Sequence, residues 1–155
     1  MTNIDAYFEA LYRKGCEYNQ EKKVREEEKG QIIETYGWDS EEYKAWRERE
    51  EGIKFPLNGG QQRAFQAWRY TKENNLETFT MNDFIWDKDV ADFAEALREA
   101  GISEFLYTNQ STAVMDNIHD LDANGFRMTG LATFEKAGWW KDEKETVRAL
   151  RFEAK

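Results

Sequence analysis

A 24-residue repeat between Asp87 and Phe126 constrains the fold of this chain more than any other feature. Each copy begins with a residue that favours helix N-caps, continues with apolar residues at helical spacing, and ends in a glycine that terminates a helix. The matched pairs are Asp87 and Ser111, Val90 and Val114, Leu97 and Leu121, and Gly101 and Gly125. Each glycine leads into a strand-like run that opens with Ile102 or Phe126. Consecutive helix-to-strand crossovers of this kind are typical of an α/β sheet.

The whole C-terminal half follows the same pattern of strands and helices. The repeat helices are predicted at residues 88–100 and 112–124. Four other stretches predict strands, at residues 77–81, 104–107, 127–134 and 145–152. Right-handed crossovers make the first three strands parallel, and the fourth returns antiparallel as a hairpin partner. The predicted order of elements is therefore β-α-β-α-β-β.

The N-terminal segment predicts a long helix with an apolar beginning and a polar continuation. Apolar residues recur at helical spacing from residue 4 to residue 18, and either Thr2 or Asn3 caps the first turn. Residues 17–29 are almost all charged or polar, with Val24 as the only aliphatic residue. We expect this polar stretch to project into solvent.

A second helix follows after a turn at residues 37–39 and completes a helical hairpin. Asp39 followed by Glu42 has the spacing of a capping box, and Gly52 ends the helix. Pro56 and the pair Gly59 and Gly60 then indicate a connector. A third helix is predicted at residues 61–75, with a buried stripe made of Ala64, Phe65 and Trp68.

These elements divide the chain into an acidic helical arm, residues 1–58, and a compact α/β domain, residues 59–155. A chain of 155 residues has room for one sizeable core, so we expect the arm and the domain to form one folded unit. The predicted fold class is α+β to α/β, with the N-terminal helical hairpin and helix packed on the C-terminal sheet.

The charge of the chain limits the partners that it can have. It carries 22 Lys and Arg against 31 Asp and Glu, a net charge of −9. Direct binding to a nucleic-acid backbone needs clustered basic residues, so the acidity argues against it and favours a basic protein partner. No run of residues has the length of a membrane-spanning helix, and residues 1–12 lack the pattern of a secretion signal. We therefore expect a cytoplasmic protein.

Two features of the sequence favour a protein–protein interface. The acidic helical hairpin is a plausible mimic of nucleic-acid charge for a basic groove. Its candidate interaction residues are Glu26, Glu27, Glu28, Glu41, Glu42, Glu48, Glu50 and Glu51. Trp139 and Trp140 follow in a charged hairpin loop, where exposed aromatic side chains commonly anchor interfaces. The alternative for the tryptophan pair is that one or both fold back over the end of the sheet.

An alternative site is predicted where the parallel strands end. Ligands of open parallel sheets favour the carboxyl ends of the strands, and a polar loop precedes the second repeat helix there. The candidate ligand-binding residues are Asp83, Thr108, Asn109, Gln110, Ser111 and Thr112. The structural alternative is that Ser111 caps the helix while its neighbours hydrogen-bond the turn.

No combination of residues in the sequence has the spacing of a metal or catalytic motif. His119, beside Asp116 and Asp120, has no nucleophile or second type of metal ligand near it in sequence. The aspartates at residues 83–92 lack the glycine and glutamate of a calcium loop, and Gly59 and Gly60 lack the lysine and hydroxyl of a P-loop. We therefore expect no metal, no cofactor and no enzymatic activity.

Residues 84–130 carry a family resemblance. The stretch DKDVADFAEALREAGISEFLYTNQSTAVMDNIHDLDANGFRMTG resembles small uncharacterised accessory proteins of phages and conjugative elements of gut Firmicutes. The acidic accessory proteins of such elements include inhibitors of host defence, among them anti-CRISPR proteins that occupy nucleic-acid grooves of CRISPR nucleases. The resemblance rests on the repeat, the YTNQST loop and the terminal glycines, and it transfers no functional residues.

Charge, composition and resemblance together predict a non-enzymatic inhibitory protein of a mobile genetic element, acting on a nucleic-acid-handling host protein such as a CRISPR nuclease. The first alternative is a small-ligand or nucleotide-binding module that uses the loop at residues 108–112. The second is a structural or regulatory oligomer joined by the N-terminal helices. The sequence leaves the oligomeric state open.

Overall fold

The computed structural model describes residues 3–140 and 142–155 and confirms the α+β fold class. Five α-helices occur in this part of the chain: α1 (Asn3–Tyr36), α2 (Glu41–Glu51), α3 (Gly59–Glu73), α4 (Val90–Ala100) and α5 (Val114–Ala123). Four strands form one sheet: β1 (Thr80–Met81), β2 (Glu104–Tyr107), β3 (Phe126–Ala137) and β4 (Lys144–Ala154). The predicted cap at Thr2 lies outside the described residues.

The chain divides into two compact units. The sheet unit comprises residues 3–9 and 58–155, and the hairpin unit comprises residues 10–57. Helix α1 begins in the first and continues through the second. No helix within residues 3–140 and 142–155 is long and apolar enough to cross a membrane.

The structure confirms the repeat. Val90 and Val114 are the first residues of α4 and α5, and Gly101 and Gly125 follow their ends with φ angles of 83° and 95°. Glycine adopts this left-handed conformation readily because it has no Cβ. After Gly101, the amide of Ile102 donates to the carbonyl of Leu97 at 2.8 Å, which completes a Schellman motif.

The predicted helix caps of the repeat were wrong. The oxygen Oδ1 of Asp87 accepts a hydrogen bond from the amide of Lys88, and Oγ of Ser111 accepts one from the amide of Ala113. Both side chains therefore bond within the turn that precedes the helix. The residues at the N-caps are Asp89 and Ala113, and neither makes a side-chain capping bond.

The strand order of the sheet is β1-β2-β4-β3. β1 pairs with β2 in parallel, and β4 pairs antiparallel with both β2 and β3. The first three strands therefore run in the same direction, and β4 follows β3 as a hairpin partner, as predicted. The return strand lies between β2 and β3, an order that the sequence pattern did not specify.

Four buried phenylalanines, three on strands and one on α4, form the centre of the core on one face of the sheet. Phe105 stacks on Phe152 of the neighbouring strand, with ring centroids 5.1 Å apart. It also contacts Phe126 and, on α4, Phe93, with centroids at 5.5 and 5.9 Å. Since all four rings are fully buried, they contribute a large part of the hydrophobic stabilisation of the sheet unit.

Gly59 and Gly60 form the first turn of α3 and not a connector. Asn58 caps this helix in a capping box with Gln61. A β-carbon added at Gly60 would lie 2.2 Å from the backbone nitrogen of Phe93, so the glycine permits close packing of α3 on α4. The buried stripe of α3 includes Ala64 and Ala67, whereas the predicted Phe65 and Trp68 are only half-buried.

The hairpin unit confirms the predicted turn between α1 and α2. Gly37 has a φ angle of 89° and ends α1. The predicted cap of α2, Asp39, was wrong by one residue, because Oγ of Ser40 accepts the hydrogen bond from the amide of Tyr43. The same hydroxyl donates to the carbonyl of Gly37 at 2.8 Å, which ties the turn to the start of α2.

Candidate functional site

Two of the eight predicted interaction glutamates form ion pairs within the hairpin unit itself. Oε1 of Glu50 lies 2.8 Å from Nε of Arg25, whose side chain is 16% exposed. Oε1 of Glu28 lies 3.0 Å from Nη2 of Arg49. These pairs join α1 to α2, so Glu28 and Glu50 neutralise the hairpin's own cations.

The other six predicted glutamates are exposed. Glu26 lies 4.0 Å from Lys29, a weak surface pair. Five make no ion pair with any described residue, namely Glu27, Glu41, Glu42, Glu48 and Glu51. Their carboxylates are therefore available to a partner.

The acidity is unevenly divided between the units. The hairpin unit has ten Lys and Arg against twelve Asp and Glu, a net charge of −2. The sheet unit has twelve against nineteen, a net charge of −7. Most of the net charge that favours a basic partner therefore belongs to the sheet unit, which the sequence analysis did not anticipate.

Trp139 and Trp140 lie between β3 and β4, where the amide of Gly138 donates to the carbonyl of Glu143 at 2.8 Å. Trp139 is 92% exposed and Trp140 is 68% exposed. Neither ring has folded back over the sheet. Two neighbouring indoles in water form an apolar surface, and its burial by a partner is favourable.

The alternative site is a cavity where the parallel strands end. Residues 84–87 and 111–113 line a cavity of about 710 Å³ together with the start of α5. Asp116, His119 and Asp120 of α5 also line it. Of the residues predicted to bind a ligand, Ser111 and Thr112 line this cavity, whereas Thr108, Asn109 and Gln110 line another one, of about 540 Å³, and Asp83 lines a third.

The polar side chains predicted to bind a ligand largely make contacts within the protein. Oδ1 of Asn109 accepts from the amide of Ser111 at 2.9 Å, and Thr108 donates to the carbonyl of Arg148 at 2.9 Å. Asp83 forms an ion pair with Arg63 at 2.7 Å. Gln110 and Thr112 are exposed. This arrangement is that of a hydrogen-bonded turn.

Asn117 is a buried polar residue that the sequence analysis missed. Its side chain is 2% exposed and exchanges two hydrogen bonds with the backbone of Ile85, at 3.0 and 2.6 Å. It also accepts a hydrogen bond from Tyr107, and burial raises the pKa of that phenol. In the 24-residue repeat, Asn117 takes the position of Phe93. A polar residue at a position that is apolar in the other copy was the sequence signal for this buried side chain.

No group of three or more His, Cys, Asp or Glu within residues 3–140 and 142–155 is close enough to hold a metal ion. His119 is exposed, on the surface of α5. The space beside Gly59 and Gly60 is filled by Asp89 and by the backbone of α4, so it does not form a phosphate cradle.

A family described as "Domain of unknown function (DUF7698)" matches residues 63–154. The chain belongs to the DUF7698 family. The DUF7698 region begins within α3 and includes all four strands, the loop at residues 108–112 and the tryptophan pair. The hairpin unit, residues 10–57, lies outside it. No curated protein and no solved structure matches the chain.

Proposed function

We propose that this protein is a non-enzymatic binding protein that holds a basic protein partner, with Trp139 and Trp140 as anchors. The observation that carries the proposal is the exposure of both indoles, 92% and 68%, on adjacent residues. Tryptophan is enriched among the residues that dominate binding energy at interfaces. An interface that covers both rings buries their apolar area at little cost in side-chain entropy.

The charge of the sheet unit favours a basic partner. A unit with a net charge of −7 attracts cationic surfaces at long range and repels nucleic-acid backbones. Asp142 and Glu143 follow the tryptophan pair closely in sequence and make no ion pair with a described residue. Aromatic anchors beside free carboxylates suit a surface rich in Lys and Arg.

We propose that the partner is a cytoplasmic host protein that handles nucleic acids, such as a CRISPR nuclease. In this proposal the chain is encoded by a mobile genetic element and inhibits that partner. The resemblance of residues 84–130 to accessory proteins of phages and conjugative elements supports this choice. The net charge of −9 supports it as well, because the grooves in which proteins bind nucleic acids are basic.

The test is capture of partners from host lysate by the native chain and by the double variant Trp139→Ala/Trp140→Ala. The matched control is Leu131→Ala, since Leu131 lies on β3 of the same hairpin and is 83% exposed. We expect the double variant to lose a basic protein that the native chain and the control retain. A captured nuclease is then assayed for DNA cleavage with increasing native chain. Equal capture by all three forms would refute the tryptophan anchors, and unimpaired cleavage would refute inhibition.

A second candidate function is binding of a small ligand or nucleotide, favoured by the cavity of about 710 Å³ at the strand ends. A ligand that binds the folded chain raises its melting temperature. Screening nucleotides by thermal shift tests this, with Ser111→Ala and Asp116→Ala as variants, because both residues line the cavity. Ligand-dependent stabilisation that the variants abolish supports the site. Stability lost without any ligand effect supports the purely structural turn.

A further inference from the structure

The turn between α1 and α2 concentrates the acidity of the hairpin unit. Residues 30–43 contain no Lys or Arg and four acidic residues, whereas the rest of the unit has ten basic residues against eight acidic ones. The four acidic residues are Glu34, Asp39, Glu41 and Glu42. All four are exposed, and none forms an ion pair with a described residue. The acidic residues at the turn therefore have no basic residue among them to offset their charge, which favours the approach of a cation there.

Two aromatic side chains are exposed at the same turn. Tyr36 is 58% exposed and Trp38 is 63% exposed. We call residues 34–42 the acidic aromatic turn. Burial of the apolar area of these two rings by a partner would be favourable.

Trp38 is held in place by a series of aromatic contacts. Its ring meets the ring of Tyr43 edge to face, with centroids 5.5 Å apart. Tyr43 in turn stacks on Trp46, with centroids 6.0 Å apart and planes 10° apart. Trp46 is buried, so the series starts in the interior of the hairpin unit. An indole that is already positioned loses little entropy on binding.

Two aromatic rings beside the turn already hold cations of the hairpin unit. Arg47 lies over the ring of Tyr43, with Cζ 5.9 Å from the centroid, and Lys29 lies over the ring of Trp46 at 5.6 Å. No described cation lies over Tyr36 or Trp38. Those two rings are therefore available to cations from another molecule.

We propose that the acidic aromatic turn binds an arginine-rich segment of a protein partner. The inference rests on the proposed function in that the partner is basic, and it adds a second surface, outside the DUF7698 region. A guanidinium group stacks on an indole face and also donates paired hydrogen bonds to a carboxylate, which an ammonium group does not do. Trp38 supplies the face, and Glu34, Asp39 and Glu42 supply the carboxylates. Arginine is therefore preferred to lysine at equal charge.

The test uses a fluorescent peptide of nine arginines and the full chain, with anisotropy measured at 50 and 150 mM NaCl. The variants of the turn are Trp38→Ala and the double reversal Glu34→Lys/Asp39→Lys. The matched control is Glu27→Lys/Glu48→Lys, because both glutamates are exposed and unpaired in the same unit but lie outside the turn. Circular dichroism checks that each variant keeps its helices.

We expect Trp38→Ala to weaken binding about threefold, the size of an exposed cation–π contact. The reversal in the turn raises Kd by about tenfold or more. The control reversal changes log Kd by less than half as much, which is less than about threefold in Kd. A peptide of nine lysines binds the native chain more weakly than the arginine peptide. These results support the inference.

Equal losses from the two double reversals would show binding to net charge alone and would overturn the inference. Unchanged binding by Trp38→Ala, or equal affinity for lysine and arginine peptides, would overturn it too. The outcome is separate from that of the proposed function, because Trp139 and Trp140 are intact in every variant. A partner captured through the tryptophan pair, with no arginine-peptide binding at the turn, refutes this inference alone.

Discussion

Adding one methyl group at Gly60 should destabilise the sheet unit. A β-carbon there would lie 2.2 Å from the backbone nitrogen of Phe93, 2.4 Å from the carbonyl carbon of Asp92 and 2.6 Å from its Cβ. Ordinary contacts between such atoms are 3.4 Å or longer. None of the three atoms can rotate away, so α3 and α4 must separate by about 1 Å.

The size of the effect follows from two opposing contributions. Overpacking of this kind costs about 3 kcal/mol, the upper end of the usual range. Alanine has a better helix propensity than glycine, which returns about 1 kcal/mol. We therefore expect Gly60→Ala to lower the free energy of unfolding by about 2 kcal/mol, or the melting temperature by about 4–8 °C.

The assay is urea unfolding followed by circular dichroism, with Gly30→Ala as the control. Gly30 lies within α1, and nothing is found within 4 Å of its added β-carbon. The control should therefore be neutral or stabilising by up to about 1 kcal/mol. A Gly60→Ala chain as stable as the native chain would refute the close packing of α3 on α4.

Three further predictions concern single side chains. Asn117→Ala removes a buried side chain that makes three hydrogen bonds, so we expect a loss of about 2–3 kcal/mol in urea unfolding; a loss below 0.5 kcal/mol contradicts its bridging role. Glu50→Lys places a second cation beside the mostly buried Arg25 and should lower the melting temperature, whereas Glu48→Lys, exposed and unpaired, should leave it within about 1 °C; equal melting temperatures refute the pairing. Burial and the hydrogen bond to the Glu99 carboxylate raise the pKa of Tyr7 from 10.0 to about 12, so the folded state favours the neutral phenol. The contribution of this phenol to folding stability is therefore complete below pH 10 and is lost as the pH rises from 10 to 12. Ultraviolet titration of the native chain against Tyr7→Phe measures this, and a phenol that titrates at pH 10 contradicts it.

The repeat predicted most of the C-terminal fold because its signals are local. Gly101 and Gly125 end helices in any context that allows a left-handed residue, so both helix ends were predictable. The caps at Asp87 and Ser111 were not, because each side chain can bond either the helix or the turn before it. The strand order depends on pairing between residues far apart in sequence, such as Phe105 with Phe152, and no local pattern specifies it.

The candidate surfaces were predictable in residue type but not in exposure. Trp139 and Trp140 could be identified as a pair, yet only the folded hairpin decides whether their rings face water. The charge run at residues 26–28 does not reveal that Glu28 pairs with Arg49, 21 positions along the chain. The concentration of acidic residues around Trp38 is visible in the sequence, and its significance follows from the exposure of that ring.

The measurement that tests the central claim most directly is the affinity of the captured partner, once purified, for the native chain and for Trp139→Ala/Trp140→Ala. If the tryptophan pair anchors the interface, the double variant loses at least about 2 kcal/mol, or about 30-fold in Kd, while its melting temperature is unchanged. Affinity should also fall as NaCl rises from 50 to 300 mM, because the partner is basic. A Kd within threefold of the native value would contradict the claim that these two residues hold the partner.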